Sequence, residues 1–270
     1  MKYILLCTVV FIICFTFGLI IASLLKKKKL NNLTKLASVI LSAGIGIVLI
    51  VLVSFVYLNN YYHVDSKALD KVYSNTNVRV EKIKNGYFID GPGRTSALVF
   101  YPGAKVEALS YAPLLSKIAE SGIDCFLADM PFNMAIFNMD VANEFIENYL
   151  YDEWIGMGHS MGGIAISNYS NKYPNKLNCL VLLASYPNKK IDESIKFYSV
   201  YGNNDGCLDR NEYDKNKKNW PSNSNELVID GGNHAQFGNY GIQTSDGEAK
   251  ISADLQQQVI IDLLLNMKNK

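Results

Sequence analysis

The chain has 270 residues, 49% of them apolar, and a formal net charge of +1. That length holds one domain of about 200 residues and something further. The near-neutral balance carries no electrostatic footprint for nucleic acid or for an acidic partner. The five cysteines form no disulfide framework: Cys7 and Cys14 lie in an apolar run, Cys125 and Cys179 in buried strands, Cys207 in a loop, with no C-x-x-C spacing.

Residues 3–25 are almost unbroken apolar sequence. As a helix this run spans about 34 Å, enough for a bilayer core. The apolar core of a cleaved signal peptide has about 7–15 residues. This run is longer, ends in Lys26 to Lys29, and is followed by a second apolar run over 36–58. The pattern predicts two transmembrane helices, a membrane anchor over 1–58. Lys26 to Lys29 and Lys35, against Lys2 alone, place the connecting loop in the cytoplasm and the rest of the chain on the extracytoplasmic side. Gly18 with Ala22, and Ser38, Ser42 and Gly46, repeat every four residues, a spacing that lets helices approach. Residues 59–77 read as a polar, aromatic stalk. His63 lies there and receives no role.

From Val78 the pattern becomes α/β. Val80 to Lys84 and Tyr87 to Asp90 flank Asn85-Gly86, a two-residue hairpin turn. Ala97 to Tyr101 is a buried strand, Ser110 to Glu120 a helix with apolar residues at helical spacing, and Cys125 to Ala128 the next strand. A loop over 129–139 and a helix over 140–150 lead to a strand from Trp154 to Met157 and a helix from Gly163 to Lys172. Short apolar strands follow at Cys179 to Ala184, Phe197 to Tyr201 and Glu226 to Ile229. A helix over 248–267 closes the chain. Strands alternating with helices predict a mostly parallel sheet with helices on both faces, over 78–268.

Gly158-His159-Ser160-Met161-Gly162 is a G-x-S-x-G motif between a strand and a helix. Such a turn strains the serine backbone and projects its hydroxyl above the sheet, and it is tight enough to demand glycine at Gly158 and Gly162. The following helix aims its free N–H groups at any oxyanion forming beside Ser160.

A serine hydroxyl needs a base, and the chain has three histidines. His63 is in the stalk. His159 adjoins Ser160 on the turn, where neighbouring side chains diverge, so packing or hydrogen bonding behind the turn is its expected role. His234 remains, in the glycine-rich loop after the last strand. The base needs an acid to fix its tautomer. Asp192, Glu193, Asp205, Asp209, Glu212, Asp214 and Asp230 all lie between Ser160 and His234. Asp205 is preferred because Gly202-Asn203-Asn204-Asp205-Gly206 begins just past the carboxyl end of a strand, where functional groups of open sheets gather. Two backbone donors would hold an oxyanion: Met161, and Gly103 or Ala104 after the first buried strand.

These stretches, with Phe100-Tyr101-Pro102-Gly103 and residues 231–241, resemble the α/β-hydrolase superfamily and specifically its compact, dienelactone-hydrolase-like branch. The resemblance covers residues 78–268 and implies an α/β-hydrolase fold and a serine hydrolase acting through an acyl-enzyme. Two departures stand out: no His-Gly-Gly-Gly motif precedes the oxyanion loop, and the nucleophile is serine where true dienelactone hydrolases use cysteine. Only eleven residues separate Ser185 from Phe197, where many relatives insert a lid, so an open site for a small or extended acyl group is expected.

The expected function is therefore membrane-anchored serine hydrolysis of a carboxylic ester, thioester or amide. The competing readings are acyl transfer by the same triad and a non-catalytic binding module. No metal-ligand spacing and no dinucleotide fingerprint are present, so no cofactor, metal or nucleic-acid partner is expected. The expected partners are a small-molecule or acyl substrate and the membrane.

Overall fold

The computed structural model describes residues 12–21, 23–24 and 35–268, with backbone alone for 35–39, 41, 42 and 268. The chain divides into two compact units, Met1–Asn60 and Tyr61–Lys270.

In the first unit residues 12–21 and 23–24 are helical, and a second helix runs Lys35–Asn59. Gly18 and Gly46 are buried, and a Cβ on Gly46 would lie 3.6 Å from Phe15 Cα. Small residues thus let these helices touch. The expected pair of transmembrane helices is not supported. Among the described residues no helix is long and apolar enough to cross a membrane. Residues 3–11, 22 and 25 of the first expected span lie outside the described residues.

The second unit is built on one eight-stranded sheet: β1 Arg79–Ile83, β2 Gly86–Asp90, β3 Ser96–Tyr101, β4 Asp124–Ala128, β5 Glu153–His159, β6 Cys179–Leu183, β7 Lys196–Gly202 and β8 Ser224–Ile229, in the order β1-β2-β4-β3-β5-β6-β7-β8. β1, β2 and β4 pair antiparallel; β4, β3, β5, β6, β7 and β8 are mutually parallel. Asn85, with φ 56°, makes the β1–β2 turn. The chain leaves β3 for β4 on one side and returns to β5 on the other. The ends of β3 and β5 therefore flank the switch point, where open sheets form their binding crevice.

Alternation along the strands sorts side chains to two cores. Leu98, Phe100, Met157 and Val181 pack on one face, with Leu115 of the helix Ala112–Glu120 and Leu264 of Ala253–Lys268. Val99, Tyr101, Trp154 and Leu182 pack on the other, with Phe145 of the helix Val141–Asn148 and Ile166 of Met161–Lys172.

Two expected boundaries shift. The stalk is no stalk: Asp65 Oδ1 accepts from Ala68 N–H and caps a helix over Ser66–Tyr73, whose Val72 enters the core. Tyr62 bridges Val106, because amphipathic residues at that spacing find an apolar face within reach. The closing helix begins at Ala253, not Glu248. Ser252 Oγ accepts from Leu255 N–H at its start, and residues 243–248 are spent on packing beside the Asp205 loop.

Candidate active site

β5 ends at His159, and the helix Met161–Lys172 begins one residue later. Ser160 bridges them at φ 53°, ψ −122°, a strained conformation for a residue bearing a Cβ. Close approach explains the flanking glycines: a Cβ on Gly158 would come within 2.6 Å of Gly162 C, and one on Gly162 would run into the Tyr101 carbonyl. The turn is pinned from the β6 side, by Ser160 N–H donating to Leu183 O at 2.9 Å and by Ser185 Oγ donating to Ser160 O at 2.6 Å.

β7 and β8 deliver the other two candidates to the same sheet edge. Asp205 follows β7, His234 follows β8, and Asp205 Oδ2 lies 2.9 Å from His234 Nδ1. Their side chains are 1% and 3% exposed, so water competes little for this bond. Asp205 Oδ1 accepts from the N–H groups of Cys207 and Leu208, each at 2.8 Å. The carboxylate takes a proton-bearing Nδ1, which leaves Nε2 of the neutral ring free to accept. Among the described residues no hydrogen bond joins the Ser160 hydroxyl to His234. The structure thus joins acid to base and sets serine on the turn, but does not close the serine–base contact.

His159 lies behind the turn. Its ring centroid is 4.4 Å from that of His234, and its Nδ1 is 2.8 Å from Tyr111 Oη. Burial first, then the charge of neighbouring His234, hold its pKa well below the ordinary imidazole value, so it stays neutral. Its buried Nε2 has no hydrogen-bond partner among the described residues.

The loop after β3 departs from expectation at Gly103. Gly103 N–H donates to Tyr111 Oη at 3.1 Å, so Gly103 is not a free donor. Glycine is required there for another reason: a Cβ would come within 2.8 Å of His159 Nδ1. The N–H groups of Ala104 and Met161 donate no hydrogen bond among the described residues, which leaves Ala104 with Met161 as the available pair. Lys105 N–H donates to Asn133 O at 2.8 Å, tying this loop to the one after β4.

Tyr111, Ser185 and Asp246 escape a sequence reading. Only the fold brings them to the site, and no local motif marks them. Asp246 accepts four backbone N–H groups, from Gly206, His234, Ala235 and Gly247. Among the described residues Asp205, Cys207 and Asp246 form a group with metal-ligand types. Both carboxylates are occupied by N–H donors, and burial, aided by Asp246 and Asp205, pushes the Cys207 thiol up to about 11.

A cleft of about 740 Å³ lies against the outer side of the His234 loop, lined by Lys71, Asn233, Ala235 and Asp246. Ser160 is not in its wall, so its size says nothing about substrate.

A doubly wound sheet with a strained serine turn beside a buried histidine–aspartate pair defines the class of the α/β hydrolases. Residues 97–258, more than half of the chain, match the model of the alpha/beta hydrolase family, and the chain belongs to that family. Among solved structures it is similar to a dienelactone hydrolase from Anabaena variabilis, at 11% identity and a TM-score of 0.53, covering 70% of this chain and 98% of that one. It is also similar to a monoacylglycerol lipase from Paleococcus ferrophilus, at 12% identity and a TM-score of 0.51, covering 68% and 99%. A predicted CIB-like hydrolase from Thermoplasma acidophilum gives 16% identity and a TM-score of 0.51, covering 70% and 98%. At such identities these likenesses speak for the fold. By sequence, no curated protein matches the chain significantly.

Proposed function

We propose that this protein is a serine hydrolase that cleaves a carboxylic ester, thioester or amide through an acyl-enzyme. The observation that carries the reading is the positive-φ Ser160 at a strand-to-helix turn, on the same sheet edge as the buried Asp205–His234 pair. In this reading Ser160 Oγ attacks the carbonyl carbon as its proton passes to His234 Nε2. The N–H groups of Met161 and Ala104 stabilise the oxyanion. Collapse expels the alcohol, thiol or amine, which takes the proton from His234. Water then attacks the acyl group, gives its proton to His234 and releases the acid as Ser160 recovers its own. Asp205 stays ionised and holds the imidazole tautomer. The serine–base hydrogen bond forms as substrate binds, since such contacts are often loose before then.

Phe132, Ile136 and Phe137 are each about half exposed on the loop after β4, next to the Ala104 turn, and offer an apolar contact for an acyl group. The test is a fluorophosphonate probe with a graded series of acyl esters. Labelling and turnover by wild type, and neither by Ser160→Ala, is the expected result. Absence of labelling in folded wild type sinks the reading.

Attachment to a membrane through residues 1–58, with the Tyr61–Lys270 unit on the extracytoplasmic side, belongs to the same proposal. It rests on the two apolar runs and the asymmetry of lysines in the sequence. Fractionation of expressing cells with a carbonate wash tests it: release of the full-length chain into the wash removes the anchor from the proposal.

A further inference from the structure

We propose that Asp246 is a positioning residue for the catalytic pair, clamping the loop that bears His234 to the loop that bears Asp205. The proposal rests on the triad reading above.

The geometry is specific. Asp246 Oδ1 accepts from Gly206 N–H at 3.1 Å, from His234 N–H at 3.2 Å and from Gly247 N–H at 2.8 Å, and its Oδ2 accepts from Ala235 N–H at 2.8 Å. Gly206 directly follows the acid. The His234 amide belongs to the base itself. Among the described residues, Asp246 is the one side chain from outside the two segments that bonds to both. Other ties, such as Asn204 N–H to Gly232 O at 2.9 Å, hold the loops nearer their roots.

The need for a clamp follows from how Asp205 is used. Its Oδ1 is committed to the Cys207 and Leu208 amides, so the loop's own backbone sets the direction of Oδ2. The 2.9 Å bond to His234 then depends on where a second loop, leaving a different strand, puts the imidazole. A carboxylate receiving amides from both loops fixes that offset with charge-assisted bonds. A misplacement of about 1 Å in a reacting group costs on the order of a hundredfold in rate. Asp246 makes no bond to the imidazole, so its effect passes through position.

Asp246→Asn and Asp246→Ala in the full-length chain test this. The asparagine keeps an oxygen for the Oδ1 partners but sets an NH₂ against the Ala235 amide; the alanine loses all four bonds. The readouts are the downfield proton NMR signal of the His234 Nδ1–H, which needs no turnover, the fluorophosphonate labelling rate of Ser160, and kcat and KM for p-nitrophenyl acetate, with circular dichroism as the check on folding. The expected result is a displaced or broadened Nδ1–H signal and labelling slowed on the order of a hundredfold in Asp246→Ala and less in Asp246→Asn, with kcat falling and KM unchanged. A folded Asp246→Ala with the wild-type signal and labelling rate overturns the proposal. Should that variant not fold, full-rate labelling by folded Asp246→Asn overturns it equally. Wild type that is never labelled, but whose Nδ1–H signal depends on Asp246, sinks the reading of Ser160 and supports the clamp.

Discussion

At the scale of single residues the site is a set of commitments that leave a few groups free. Asp205 spends one oxygen on its own loop and the other on His234. Replacing it with asparagine puts an NH₂ where the Nδ1–H must donate and selects the wrong tautomer. Asp205→Asn is expected to lower kcat about 10⁴-fold with folding intact, read by esterase kinetics and circular dichroism. His159 makes a different prediction, for stability. Its folded pKa lies below its unfolded value near 6.5, so the unfolded chain binds the proton first as pH falls. Stability is then present above about 6.5 and lost below it, by up to about 1.4 kcal/mol per pH unit for one proton. Urea unfolding from pH 7.5 to 5 measures it, and the corresponding slope should be missing in His159→Asn. Neither Asp246 nor Tyr111 was legible in the sequence. Asp246 lies in a polar run, Thr244-Ser245-Asp246-Gly247-Glu248, and beyond the adjacent Gly247 its three amide partners come from two loops that meet only in the folded sheet.

At the scale of elements, the strand–turn–helix around Ser160 was legible because apolar periodicity and two glycines act locally. The structure adds what the glycines avoid. A methyl group at Gly162 meets the Tyr101 carbonyl on the neighbouring strand, so the turn cannot relax within its own loop. Gly162→Ala is expected to destabilise the protein by about 1–3 kcal/mol and to lose activity by more than the unfolded fraction explains; thermal melts with active-site titration separate the two. The Gly103 expectation failed for an instructive reason. Glycine there makes room for the His159 imidazole, while the Gly103 amide is consumed by Tyr111. A side chain eight residues away decides which of two adjacent amides is free.

At the scale of the whole molecule, the alternation of strands and helices fixed the fold class, and the Asn85-Gly86 hairpin places the antiparallel edge correctly. The start of this unit was misplaced because a helix of eight residues, Ser66–Tyr73, is too short for its periodicity to stand out in a polar stretch. Tyr62, Val72 and the cap at Asp65 belong to it. Residues 61–270 are therefore expected to fold and keep full kcat, whereas residues 78–270 should melt well below them; expression of both fragments, followed by thermal melts and kinetics, checks the boundary.

Ser160 holds a backbone angle that glycine adopts without protest. A Ser160→Gly chain, inert under the proposed mechanism, should accordingly outlast the wild type, melting at a higher temperature by the equivalent of about 1 kcal/mol. Readiness for chemistry would then be visible as a standing tension in the resting fold, released when the reactive oxygen is given up.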